Sequence, residues 1–172
     1  YGAVKRKLRV LAFEPSAASF ATLTTNIELN GLEGAADAFC LALCDETKLD
    51  YLHMANTGAG HSMHAFGTSQ TVDGEITPVF RQAVPGFCAD DFAKLFYAPE
   101  PHHIKLDVDS IELSILKGAE GLLKKGVKSV LVEVYGLNDG TDIRSYLTGL
   151  GFEEIPDSSS DVERNLVFRK HY

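Results

Sequence analysis

The sequence predicts an α/β protein, with a mostly parallel sheet covered by helices on both faces and an antiparallel strand at its C-terminal edge. Three observations carry that prediction. Apolar runs of strand length recur along the chain as LRVLAF, AFCLAL, HIKLDV and SVLVEVY. Segments with apolar residues at helical spacing lie between several of these runs. The C-terminal end holds two further apolar runs around a polar turn, the pattern of an antiparallel pair.

Taken in order, Leu8 to Phe13 is a buried strand that stops at Glu14-Pro15, because proline has no N–H for the ladder and holds the residue before it extended. Ser16 then caps a helix to about Leu29. That helix presents Phe20, Leu23 and Ile27 on one face and stops at Asn30-Gly31. Ala38 to Leu43 is the second strand, ending at Cys44-Asp45, and Tyr51 to Met54 adds a short one. Asn56 to Gly74 is rich in Gly, Ser, Thr, Asn and His and reads as a loop of functional length. Thr77 to Ala83 returns as a strand, and Cys88 to Phe96 is a short helix ended by Pro99 and Pro101. His103 to Val108 is a strand. Ile111 to Lys125 is one helix, striped by Ile111, Ile115, Ala119 and Leu122 and closed by Gly126. Ser129 to Tyr135 is a strand, Asp142 to Leu150 a helix, and Phe152 to Ile155 with Asn165 to Lys170 the terminal pair.

The 172 residues make one domain with one sizeable core. Apolar residues at 45% and charged residues at 23% match a globular protein and exclude disordered, collagen-like and disulfide-scaffold classes. The net charge of −8 argues against a nucleic-acid partner. Cys40, Cys44 and Cys88 are an odd number with no CxxC pair, so neither a disulfide framework nor a zinc ribbon is expected. That usage points to a reducing compartment, the cytoplasm. No apolar run reaches the roughly 18 residues of a membrane span, and a membrane partner is not expected.

Ligands of open α/β sheets sit beyond the carboxyl ends of the strands. Acids stand there on four runs: Glu14, Asp45, Asp107 with Asp109, and Glu133. Glu14 suits the carboxylate that binds ribose hydroxyls, which follows a glycine-rich loop by about 20 residues. Only 13 residues precede Glu14, so the first strand and its glycine loop are expected to lie outside these residues, with Tyr1 to Lys7 as the end of the helix after that loop. A dinucleotide oxidoreductase would use the same acid, but no Tyr-x-x-x-Lys signature accompanies it. A non-catalytic remnant or interaction module of the same fold is the other alternative.

Across most of its length the chain resembles the FkbM family of S-adenosylmethionine-dependent methyltransferases. The resemblance rests on VLAFEPSAASFATLTTNIELN (Val10 to Asn30), LALCDE (Leu41 to Glu46), IKLDVDSIELSILKGAEGLL (Ile104 to Leu123), VLVEVY (Val130 to Tyr135) and NLVF (Asn165 to Phe168). It implies a Rossmann-like class I methyltransferase three-layer sandwich, S-adenosyl-L-methionine as methyl donor, and O-methylation of a hydroxyl on a sugar or secondary metabolite. The expected partner is therefore a small-molecule or sugar acceptor. By resemblance Glu14 looks like the ribose ligand, with Pro15 beside it in the FEP block. Ala42, Leu43 and Asp45 lie where adenine is bordered, and Asp107 looks like the acid near the methionine end or the acceptor. Ser110 departs from the glycine that the family commonly has after its acid.

An alcohol acceptor must lose a proton to a base or to a metal that acidifies it. Candidate bases are Asp107, Asp109, Glu133, and His61 or His64 on the GAGHSMH segment. Asp107 and Glu133 with Asn138 or Asp139 offer oxygens to a hard cation, but they form no tight ligand motif and no metal is assigned. Cys40 and Cys44 read as small buried hydrophobes.

Overall fold

A computed structural model of the protein describes residues 8–60, 64–71, 74–108, 111–135, 140–155 and 163–170. The chain is α/β, with its strands divided among four sheets in the described residues. β1 (Val10–Phe13) pairs in parallel with β2 (Ala36–Phe39). Between them runs α1 (Ala17–Leu29), capped by Ser16 and stopped at Asn30. Phe20, Leu23 and Ile27 share its inward face, yet none of its residues is fully buried. An aromatic cluster holds this unit to the rest: Phe13 stacks on Phe39 at 5.4 Å, and both meet Phe92 edge-on at 5.1 Å.

The second sheet is antiparallel apart from one short pair. β3 (Ala42–Leu43) lies parallel to β8 (Phe80–Phe87), which pairs antiparallel with β4 (Lys48–Met54), and β4 with β5 (His64–Phe66). β6 (Gln70–Thr71) and β7 (Gly74–Glu75) make a small antiparallel ladder. α2 (Ala89–Leu95) follows β8 and carries Phe92.

The fourth sheet is ordered β11-β12-β10-β9. β9 (His103–Leu106) is parallel to β10 (Ser129–Tyr135). β12 (Glu163–Arg169) is antiparallel to both β10 and β11 (Glu153–Ile155), which is the expected terminal pair. α3 (Glu112–Lys117), α4 (Glu120–Lys125) and α5 (Thr141–Gly149) cover this sheet. Leu116, Leu123, Val130, Val132, Leu147 and Phe168 are fully buried at the centre of the larger core. A smaller core of Ala42, Cys44, Leu52, Met54, Phe66 and Val84 lies under the second sheet, and Ile111 packs against both.

Several expectations need correction. Only three of the eight strand pairings are parallel among the described residues, so the sheets are mixed rather than mostly parallel. The single strand expected over Ala38 to Leu43 is two strands, because the chain leaves β1 after Phe39 and joins β8 at Ala42. The loop expected over Asn56 to Gly74 contains β5, whose Ala65 and Phe66 are buried by pairing with β4. The single helix over Ile111 to Lys125 breaks at Gly118-Ala119. A side chain at Gly118 would come within 2.0 Å of the Cys44 carbonyl oxygen, and Asp90 accepts hydrogen bonds from the Gly121 and Leu122 amides to start α4 anew. Cys44 is buried as expected, whereas Cys40 is exposed.

Candidate functional site

β1 and β9 each pair on one side only among the described residues, and both line the same cleft. The cleft has a volume of about 580 Å³, within the range of roughly 300 to 1,000 Å³ of small-ligand sites. Leu11, Ala12 and Phe13 bring β1 to it, and Lys105 and Leu106 bring β9. β3 contributes Ala42 and Leu43, β4 Leu52, and β5 His64 and Phe66. Ile111 and Ile115 close the apolar side.

Glu14 enters the cleft directly after β1, and the turn it begins is tightly held. Its backbone N–H donates to the Phe39 carbonyl at 3.0 Å, continuing the β1–β2 ladder. Its Oε1 accepts the Ser16 N–H at 2.7 Å. Ser16 is itself buried, and its Oγ accepts the Ser19 N–H at 3.4 Å as the cap of α1. An Asx-like local bond of this kind fixes a carboxylate at the mouth of a helix, where the N-terminal dipole favours its charge. The apolar stretch VLAF and the following proline thus deliver one acid at one place.

Asp107 enters just after β9. Its Oδ2 lies 2.5 Å from Lys105 Nζ, and both side chains remain more than half exposed, at 55% and 60%. At that exposure the pair contributes little to stability. It does set the direction of the carboxylate. Lys105 and Asp107 are two residues apart on extended chain, so they share a face.

His64, on β5, also lines the cleft. Both of its ring nitrogens are buried with no hydrogen-bond partner among the described residues. A neutral imidazole has one N–H donor and one acceptor. Leaving such groups unsatisfied costs about 1 to 3 kcal/mol each, and His53 Nδ1 is likewise buried without a partner among the described residues.

Of the residues singled out in the sequence, Glu14, Pro15, Ala42, Leu43, Asp107 and His64 therefore converge on one cleft. Asp45 does not line it: the residue is exposed, and its carbonyl accepts the Cys88 thiol at 2.8 Å. Glu133 does not line it either. It lies in β10 opposite Asn165, on the strand face away from buried Val132 and Val134. His61, Asp109, Ser110, Asn138 and Asp139 lie outside the described residues, as do Tyr1 to Lys7. No group of three or more His, Cys, Asp or Glu suited to a metal occurs among the described residues. Sequence reasoning missed Lys105, although its spacing from Asp107 was the available signal. It also missed Leu52 and Phe66, which reach the cleft only through sheet pairing that no local pattern encodes.

The three thiols are pushed up from their ordinary value, chiefly by burial. For Cys40, whose Sγ lies 3.9 Å from the Pro15 carbonyl oxygen, the neighbouring Glu14 carboxylate adds to the effect. They behave as protonated thiols near neutral pH rather than as nucleophiles.

A family model described as the methyltransferase FkbM domain matches residues 3–154 of the chain. Among solved structures, the chain is similar to a crystal structure of methyltransferase FkbM from Methylobacillus flagellatus KT, with a TM-score of 0.64 and 16% sequence identity. The match covers 93% of this chain and 36% of that one, so the chain spans about a third of the length of the solved protein. No curated protein matches the sequence.

Proposed function

The chain belongs to the methyltransferase FkbM domain family, and from that premise we propose that it forms the donor and acceptor site of an S-adenosylmethionine-dependent O-methyltransferase acting on a hydroxyl of a small molecule or sugar. The observation that carries the reading is the single cleft shared by Glu14 at the end of β1 and Asp107 at the end of β9. A ribose needs a carboxylate to accept from its two hydroxyls, and Glu14 is fixed by Ser16 in a position to do so. An adenine needs an apolar wall, and Ala42 and Leu43 supply one beside it. The donor set and the size of the cleft therefore fit the cofactor.

When bound, S-adenosylmethionine supplies an electrophilic methyl group on a cationic sulfur. The protein's part is to hold the acceptor oxygen in line with that group, which in well-oriented cases is worth up to about 7 to 11 kcal/mol. Asp107, steadied by Lys105, orients the acceptor by accepting from a second polar group on it, which leaves the reacting hydroxyl free to donate to His64. His64 takes the hydroxyl proton at a ring nitrogen as the oxygen gains the methyl group. The apolar residues Leu52, Phe66, Ile111 and Ile115 keep water from competing as acceptor.

The test is transfer of labelled methyl groups from S-adenosylmethionine to a panel of hydroxylated sugars and small metabolites. The reading expects a methylated product. It also expects His64→Gln to lower kcat about 100-fold or more while cofactor affinity stays within about twofold. Full turnover by His64→Gln would remove the proton role, and absence of transfer to every acceptor with intact cofactor binding would remove the enzymatic reading.

A further inference from the structure

Gln82 lies in β8, opposite Leu52 of β4, and does not line the cleft. It nevertheless makes both of its amide bonds to the turn that carries Glu14. Its Nε2 donates to the Pro15 carbonyl at 2.7 Å, and its Oε1 accepts the Ala17 N–H at 3.0 Å. A carbonyl oxygen can only accept and a backbone N–H can only donate, so the orientation of the amide is fixed by its partners. No carboxylate, amine or apolar side chain of that length can serve both. With Glu14 N–H on Phe39 and Ser16 N–H on Glu14 Oε1, the backbone around the carboxylate is held at every step from Glu14 to Ala17.

The bond also joins two parts of the molecule. β1, α1 and β2 form one unit, and the sheet of β3, β8, β4 and β5 forms another. Glu14 stands on the first and His64 on the second, so Gln82 links the two parts that line the cleft. The Gly60 N–H donates to Ser19 Oγ at 3.2 Å and adds a second, weaker link between the same parts.

We infer that Gln82 is a positioning residue that sets the Glu14 carboxylate for the ribose of the cofactor. This rests on the reading of Glu14 given above. Gln82 lies outside the cleft lining, so its effect on binding passes through Glu14 and vanishes when Glu14 is absent. Gln82→Glu is the informative substitution: it keeps size and the acceptor for Ala17 but loses the donor to Pro15. Gln82→Met loses both bonds at nearly the same volume.

The experiment is a double-mutant cycle read by calorimetric binding of S-adenosylmethionine, together with hydrogen exchange of the Ala17 amide without ligand. Expected are a loss of affinity of about fivefold to tenfold for Gln82→Glu or Gln82→Met, and no further loss when either is combined with Glu14→Ala. The Ala17 amide should exchange faster in Gln82→Met. Equal losses in the presence and absence of Glu14 would show a general structural effect and overturn the inference. So would unchanged affinity of both Gln82 variants while Glu14→Ala binds weakly. If Glu14→Ala itself binds normally, or the unsubstituted protein does not bind, the reading of the site fails and the role of Gln82 fails with it.

Discussion

Glu14 and Asp107 each follow the last residue of a short strand and line one cleft. A short apolar strand followed by Glu-Pro-Ser can hardly do otherwise than turn and start a helix, and Ser16 does cap it. Asp45 reads equally well in sequence, at the end of an apolar run, but the chain changes sheets at that run and carries Asp45 away from the cleft. Glu133 fails as a cleft residue for another reason: alternation in β10 puts it on the face opposite Val132 and Val134. Tyr146, on α5, is half-buried and makes a contact that its helix alone does not imply. Its hydroxyl donates to Glu120 Oε2 at 3.1 Å, and burial, aided by that bond, pushes the phenol up to about 12. Because the folded value is raised, the stability tied to this phenol is fully present below its ordinary value of 10.0 and is lost as pH rises toward about 12. The difference between the phenolate titrations of the protein and Tyr146→Phe should therefore show one phenol ionising near pH 12 rather than near 10. An ordinary midpoint would mean that the Tyr146–Glu120 contact does not form in solution.

Elements with their own start and stop signals were predicted well. The helix after Ser16, the strand Ser129–Tyr135 and the antiparallel terminal pair all follow from caps, β-branched runs and turns. Elements made by their partners were not. β5 is only three residues long and exists because β4 offers an edge, and the break between α3 and α4 exists because the Cys44 carbonyl and Asp90 press on the helix from outside. Gly118 is the residue on which that second junction depends, since a Cβ there would sit 2.0 Å from a backbone oxygen. Backbone cannot yield as a flexible side chain would. Gly118→Ala should destabilise the protein by about 1 to 3 kcal/mol, seen as a lower urea midpoint at unchanged slope. A midpoint equal to that of the unsubstituted protein would show that the helix junction and β3 are not packed as described.

At the scale of the molecule, no helix among the described residues is long and apolar enough to cross a membrane. The negative net charge of −8 includes the acids at the strand ends. β1 and β9, each paired on one side only among the described residues, both line the cleft. Composition could not show how the sheets divide, because the sheet order depends on contacts between distant segments. The site that results is a cleft between units rather than a pocket in one sheet. Calorimetric titration with S-adenosylmethionine, of the protein and of Glu14→Ala, tests whether this cleft holds the cofactor through Glu14. Binding that falls about tenfold to a hundredfold on Glu14→Ala, with the thermal unfolding midpoint unchanged, is the predicted result. Equal affinity in the two proteins, or no binding to either, would contradict it.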